Sequence, residues 1–158
     1  MNIRPYGKED RLSCITLFSS NVPLYFAEDE LNDFEFWLNG KDNNVLSYKN
    51  TKEEYFFVLE ENGEILACGG FYIPKLEKRI NLVWGMVNAN NHHMGHGTAL
   101  LNYRLKLATS MFLEYFITID TTQLTAGFYE KFNFKSIKTS ENYYAPGLHR
   151  IDMIKING

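Results

Sequence analysis

A glycine-opened helix directly after an apolar strand is the feature that most constrains this chain. Residues 82–87 indicate a buried strand, residues 88–94 a polar crossing, and residues 95–108 a helix. Gly95 and Gly97 allow the backbone to turn so that consecutive N–H groups point outward, and the helix adds its positive end at the same place. The segment therefore predicts a binding site for a phosphate or pyrophosphate.

Two familiar phosphate motifs do not fit this segment. No Gly-Lys-Ser/Thr follows the glycines, as a P-loop requires, and Leu100 stands where a dinucleotide fingerprint has its third glycine. A Gly-x-Gly at a helix start is also compatible with a plain tight turn between strand and helix. The choice between an anion site and a plain turn therefore depends on the rest of the chain.

A second strand and helix follow the glycine-opened helix. Residues 116–120 are a short β-branched run, residues 125–132 indicate a short helix, and Asn133 fits a left-handed helix cap. Together the two segments resemble the GNAT superfamily of N-acetyltransferases. The acetyl-CoA site of that family carries Q/R-x-x-G-x-G/A and, after the next strand, N-x-x-A-x-x-Φ-Y-x-K-x-G-F.

Both motifs are present in order, with substitutions. In the first, Gly95 and Gly97 agree and His92 replaces Gln or Arg. In the second, the residues that agree are Phe128, Tyr129, Lys131 and Phe134. The residues that depart are Thr122, Thr125 and Asn133, in place of Asn, Ala and Gly. Because backbone N–H groups need no particular side chain, the substitutions weaken the anionic contact more than the fold.

The resemblance implies an α/β (α+β mixed) fold. It implies a central mixed, mostly antiparallel sheet of about seven strands, flanked by about four helices, in a single domain over residues 1–158. Acetyl-CoA would lie where two parallel strands, residues 82–87 and 116–120, splay apart.

Local patterns predict the same order of elements. Helices are expected from about residue 8 to residue 20 and over residues 27–40, and a tight hairpin turn at the Glu-Asn-Gly of residues 61–63. The predicted strands are residues 2–5, 54–59, 65–72, 79–87, 116–120, 135–139 and 149–156. This order places antiparallel pairs first and a parallel strand–helix–strand unit later, which is a mixed sheet.

The resemblance also implies which residues hold the coenzyme. Met86 and Val87 would offer backbone groups to the pantetheine arm and the thioester. The further coenzyme-binding positions are His92, His93, Met94, Gly95, His96, Gly97, Thr98, Thr122, Phe128 and Lys131. Tyr129 would face the sulfur as general acid; the alternative is a core tyrosine on an amphipathic helix.

The sequence does not identify the residue that accepts the proton of the amine. Residues 82–87 contain no carboxylate, whereas Asp120 ends the next strand, and the carboxyl ends of parallel strands face the ligand crevice. Asp120 is therefore a catalytic candidate. The alternative is that Asp120 is only a helix cap or turn residue, in which case an ordered water would relay the proton.

The acetyl acceptor is expected to enter between the first two helices and the C-terminal hairpin. Acidic groups beside aromatic rings there would hold a cationic amine through charge and cation–π attraction. The candidate substrate-binding residues are Tyr25, Phe26, Glu28, Asp29, Tyr143, Tyr144 and His149. The sequence leaves the identity of this small-molecule or peptide amine open.

Composition limits the other classes of partner. The formal net charge of −3 argues against a nucleic-acid binder, and no apolar run approaches the length of a membrane span. Cys14 and Cys68 form no disulfide framework or metal spacing, which favours a reducing, cytoplasmic location. His92 and His93 lack further ligands at metal spacing, so no metal is expected.

The expected function is acetyl-CoA-dependent N-acetyl transfer. A catalytically silent acyl-CoA-binding regulatory domain is the alternative, because it would keep the glycines and the fold. A homodimer is possible by analogy with the family.

Overall fold

A mixed sheet organises the chain in the computed structural model, which describes residues 1–156. The strands are β1 (Asn2–Pro5), β2 (Thr51–Glu61), β3 (Glu64–Pro74), β4 (Arg79–Val87), β5 (Phe116–Thr121), β6 (Phe134–Ala145) and β7 (Leu148–Lys155). The helices are α1 (Arg11–Ser20), α2 (Glu30–Asp42), α3 (His96–Met111) and α4 (Ala126–Glu130), with 3-10 turns at Lys8–Asp10 and Ala89–Asn91. The predicted fold class, with about seven strands and about four helices, is confirmed.

The strand order is β1-β2-β3-β4-β5-β7-β6. Within residues 1–156 every neighbouring pair of strands is antiparallel except β4 and β5, which are parallel. A parallel pair needs a crossover, and α3 supplies it. The carboxyl ends of β4 and β5 therefore meet at one side of the sheet.

Helices cover both faces of the sheet with apolar side chains. On one face α1 and α2 pack Leu17, Phe18, Phe34 and Trp37 against β2 and β3. On the other face α3 packs Leu100, Leu101 and Ala108 against the same sheet. Full burial of one such large side chain contributes about 1.5–3 kcal/mol, so the two layers fix the helices on the sheet.

β4 and β5 separate towards their carboxyl ends. Their pairing runs from Arg79 opposite Phe116 to Leu82 opposite Ile119. Beyond Leu82, β4 carries a bulge: the register with β3 places Trp84 and Gly85 opposite Gly69, and Trp84 has a φ of 52°. Bulges re-aim a strand and end its pairing, and this one opens a gap beside β5.

Several boundaries differ from the sequence-based prediction. α2 begins at Glu30 rather than near residue 27, because the Ala27 N–H donates to the Glu30 carboxylate at 2.8 Å and holds the preceding residues in a turn. β6 extends to Ala145, past the predicted end at residue 139, because pairing with β7 holds it extended. Most β6 side chains are exposed on both faces, so no apolar alternation indicates its length.

Candidate active site

The two glycines at the start of α3 have different structural roles. Gly95 lies in the left-handed region, with a φ of 86°, and makes the turn into the helix. Gly97 is already helical; a Cβ there would lie 3.5 Å from Val87 Cγ2 and 3.6 Å from Phe128 Cζ. Gly97 thus leaves a cradle between the end of β4 and α4, next to the N–H groups of the first helical turn.

The histidines of this segment point in different directions. His92 Nε2 lies 3.1 Å from the Val87 carbonyl oxygen, and its ring contacts Tyr25 with centroids 5.2 Å apart. His96 is buried, and its Nε2 lies 3.3 Å from a Glu61 carboxylate oxygen. His93, Met94 and Thr98 are exposed around the helix start.

Tyr129 lies on α4, the helix that follows β5. It is buried, 7% exposed, and packs against Phe128 and Phe134. Burial raises the pKa of its hydroxyl, the Arg104 guanidinium lowers it by charge and hydrogen bonding, and Asp120 raises it. Arg104 and Asp120 lie on opposite sides of the sheet, so the hydroxyl is within electrostatic reach of both sides.

Asp120 faces the α1–α2 side of the sheet, because Ile119 before it packs into the α3 side. The Tyr144 hydroxyl donates to Asp120 Oδ2 at 2.8 Å, and an Arg150 Nη2 lies 3.8 Å from Oδ1. Burial and the Asp120 charge raise the pKa of Tyr144. The hydrogen bond and the ion pair hold the Asp120 carboxylate in place at the end of β5.

Glu30, at the start of α2, is a candidate that the sequence interpretation missed. Burial raises the pKa of its carboxyl to about 7, and the charges of Asp29, Asp33 and Asp120 add to the rise, whereas the Ala27 N–H opposes it. Glu30 also acts on the pKa of Tyr144. Glu30, Asp120 and Tyr144 therefore form one electrostatic group on the α1–α2 side of the gap.

A cleft of about 780 Å³ opens beside this group. Its walls come from the α1–α2 connection, including Glu28 and Asp29, and from the β6–β7 turn, including Tyr144. Three other predicted acceptor residues have different surroundings. Tyr25 contacts His92, Phe26 stacks on Phe18, and Tyr143 lies under the Arg150 guanidinium. His149 Nδ1 accepts the N–H of Asn142 within the hairpin.

The remaining predicted coenzyme positions lie around α4 and at the end of β4. Thr122 is buried, and its hydroxyl oxygen accepts the Leu124 N–H at 3.2 Å. Phe128 is half-buried, and Lys131 is exposed just past the end of α4. Met86 is buried in the core under α1 and α2.

Within residues 1–156, no group of three or more His, Cys, Asp or Glu side chains is placed to hold a metal ion. No helix in the same range has the length and apolar character needed to cross a membrane.

Residues 52–136 match the family model described as Acetyltransferase (GNAT) domain. Solved structures share the fold over nearly the whole chain. The ribosomal-protein-alanine N-acetyltransferase from Brucella melitensis has a TM-score of 0.73 and 15% identity, over 99% of this chain and 100% of that chain. The ribosomal-protein-S18-alanine N-acetyltransferase from Escherichia coli has a TM-score of 0.71 and 14% identity, over 99% of this chain and 96% of that chain.

An aminoglycoside 6'-N-acetyltransferase complexed with coenzyme A is also similar, with a TM-score of 0.71 and 16% identity, over 100% of this chain and 99% of that chain. No curated protein is significantly similar in sequence. At these identities the structural matches show the fold alone.

Proposed function

Because this chain belongs to the GNAT family of acetyltransferases, we propose that it transfers the acetyl group of acetyl-CoA directly to a primary amine of a small molecule or peptide. The observation that carries the proposal is the gap between β4 and β5. At the carboxyl ends of these strands, β4 leads towards the start of α3 and β5 leads towards α4, which carries Tyr129. The acidic cleft includes Tyr144, whose hydroxyl donates to Asp120 of β5. We infer that a coenzyme at the α3 start and an amine in the cleft would approach one point between them.

The start of α3 suits the pyrophosphate of the coenzyme. The backbone of residues 93–98 supplies N–H groups at the positive end of a helix, and Gly97 leaves the cradle beside Val87 and Phe128. Backbone groups of Met86 and Val87 lie at the end of β4, where the pantetheine arm would pass. When bound, acetyl-CoA supplies an activated thioester carbon and a thiol leaving group.

Tyr129 is proposed as the general acid. Its hydroxyl gives a proton to the departing sulfur, and burial keeps that hydroxyl protonated at neutral pH. No side-chain nucleophile is needed, because the amine itself attacks the acyl carbon.

The acidic group on the α1–α2 side is proposed to receive the amine. Glu28 and Asp29 line the cleft and attract a cation; Tyr144 also lines the cleft, and its hydroxyl holds Asp120 together with Arg150. Glu30, with a pKa of about 7, is suited to accept the proton of the amine directly or through one water. Before this proton transfer, Asp120 attracts the positive charge of the protonated amine.

The test is acetyl transfer to a panel of amines, in which the release of free thiol is the measured signal. The panel includes polyamines, amino acids, an aminoglycoside and a peptide with a free N-terminus, and binding of CoA is measured in parallel by calorimetry. Thiol release that depends on one class of amine supports the proposal. Binding of CoA without turnover on the panel would instead indicate an acyl-CoA-binding regulatory domain, and failure to bind CoA would overturn both.

A further inference from the structure

Arg104 is a buried cation on the apolar side of α3. It is 3% exposed and belongs to the same helical stripe as Leu100 and Ala108, which pack into the core. Its Nη1 donates to the Gly70 carbonyl oxygen at 3.1 Å, whereas its buried Nε has no hydrogen-bond partner in the described part of the chain. A charged side chain at such a position needs a physical reason.

Glycines on two strands make room for the Arg104 guanidinium. A Cβ on Gly69 would lie 2.8 Å from Arg104 Cζ, and a Cβ on Gly85 would lie 2.8 Å from Arg104 Nη2. Gly69 and Gly85 are the residues that face each other across the β4 bulge. The guanidinium therefore lies against the bulge, directly before Met86 and Val87 on the strand that borders the gap.

Stability alone does not account for this cation. None of the ion pairs within residues 1–156 includes Arg104, and the titratable groups that act on it are Tyr129 and Cys68. Burial lowers the pKa of its guanidinium, which shows that desolvation opposes the charge. A buried charge without a carboxylate partner costs stability, and an apolar side chain of similar volume is often neutral or better.

We propose that Arg104 is a positioning residue of the transfer reaction: it orients the Tyr129 hydroxyl and stabilises the negative charge that develops at the gap between β4 and β5. The inference rests on the proposed function. A fixed positive charge in a water-excluded site stabilises developing negative charge without reorganisation during the reaction. The Gly70 carbonyl and the two glycines hold the guanidinium in place for this role.

The proton balance of the step is complete with groups that the chain carries. The C–N bond forms and the C–S bond breaks, and the amine proton goes to Glu30. Tyr129 gives its proton to sulfur, becomes a phenolate beside the Arg104 cation, and regains a proton from solvent after the thiol leaves. Glu30 releases the amine proton to solvent, so both groups return to their starting states. Arg104 keeps its own proton throughout, so it acts only through charge and hydrogen bonding.

The titratable groups around Tyr129 oppose one another. Arg104 on α3 lowers its pKa, Asp120 on β5 raises it, and burial also raises it. Cys68 on β3 packs on the α1–α2 side of the sheet, opposite to Arg104, and its burial, together with Cys14, raises the pKa of its thiol. Removal of the Arg104 charge should therefore raise the pKa of Tyr129 further.

Kinetics and thermal stability of three variants test the proposal. Arg104→Met removes the charge at similar volume, Arg104→Lys keeps a charge, and Lys106→Met removes an exposed cation from the same helix as a matched control. We expect Arg104→Met to lower kcat by about 10- to 100-fold, with an unchanged KM for acetyl-CoA and an equal or higher Tm. Arg104→Lys should recover part of the rate, and Lys106→Met should behave as the parent.

A purely structural Arg104 would give another pattern. Arg104→Met would then lower Tm and raise the KM for acetyl-CoA together with the loss of kcat, or it would leave kcat unchanged. Either pattern, or a methionine variant as active as the lysine variant, would overturn the proposal.

A spectroscopic test does not need activity. With tyrosine labelled by ¹³C at Cζ, the Tyr129 signal is assigned by its loss in Tyr129→Phe. It is followed from about pH 8 to the highest pH at which the protein stays folded, because burial raises the pKa of Tyr129 above the ordinary value of about 10. Ionisation should begin at lower pH in the parent than in Arg104→Met. Identical Tyr129 signals in the two proteins would show that Arg104 does not act on Tyr129. This result stands even where no amine is acetylated, so it separates this inference from the proposed function.

Discussion

At the scale of single residues, the Tyr129 hydroxyl is the group whose removal separates chemistry from packing. Its ring packs between Phe128 and Phe134, and phenylalanine keeps those contacts. Tyr129→Phe should lower kcat by about 100-fold, because the departing sulfur loses its proton donor, with little change in Tm. Steady-state kinetics and a thermal melt check this, and an unchanged kcat at the parent's Tm would leave Tyr129 a packing residue.

The proposed role of Glu30 as base predicts that kcat/KM depends on pH. If its carboxylate accepts the amine proton, kcat/KM should rise with pH through about 7, where the carboxyl ionises. Glu30→Gln should lower the rate and remove that rise. Glu28→Gln, which weakens only the attraction of the amine at the wall of the cleft, should keep the rise. A rise through this range that persists in Glu30→Gln would assign the base elsewhere.

The raised pKa of Glu30 also affects stability, which should fall as pH rises whereas kcat/KM should increase. The folded protein binds the Glu30 proton more tightly than the unfolded chain does, so this contribution is fully present below the ordinary value of 4.5 and is lost as pH rises through about 7. Glu30→Gln should flatten this part of the stability profile, measured by urea unfolding between these two pH values. A profile that declines equally in both proteins would contradict the raised pKa.

At the scale of elements, two glycine-to-alanine substitutions should change the stability of the protein in opposite directions. A Cβ on Gly70 in β3 would lie 2.1 Å from the Tyr55 carbonyl oxygen of β2, so Gly70→Ala forces two paired strands apart. A Cβ on Gly127 in α4 meets no atom within 4 Å. We expect Gly70→Ala to destabilise by about 1–3 kcal/mol or more and Gly127→Ala to stabilise by about 0.5–1 kcal/mol.

Urea unfolding of the two alanine variants measures these changes. Gly127→Ala serves as the control for the loss of backbone entropy that any Gly→Ala change brings. Equal stability of the two variants would mean that β2 and β3 do not approach as closely as the register requires.

At the scale of the whole molecule, the gap between β4 and β5 joins the two halves of the fold. A ligand that binds there binds only the folded chain, so CoA at about 100 times its Kd should stabilise by about 2.7 kcal/mol and raise Tm by about 5–10 °C. Gly97→Val should abolish the shift by filling the cradle beside Val87 and Phe128. Asn102→Val, an exposed position on the same helix, is the control, and an undiminished shift in Gly97→Val would place the coenzyme elsewhere.

Local backbone chemistry is what the sequence by itself determined. The Asn-Gly turn between β2 and β3 has positive φ at both residues, Gly95 is left-handed, and Asn133, three residues past the end of α4, has a φ of 68°. Each depends on the steric freedom of one or two residues, so the residue types alone predict it. The order of apolar strands and helices follows in the same way, and with it the mixed sheet and the location of the α3 start.

The tertiary structure alone decided which charges are buried and which meet. In the sequence Glu30 is an ordinary first-turn acid, and burial in the folded chain is the largest cause of its raised pKa. Arg104 has the spacing of the apolar α3 stripe, and only the bulge of β4 and the glycines Gly69 and Gly85 make room for its guanidinium in the core. Desolvation and electrostatic coupling depend on distance in space between residues far apart in the chain, and no local pattern carries that distance.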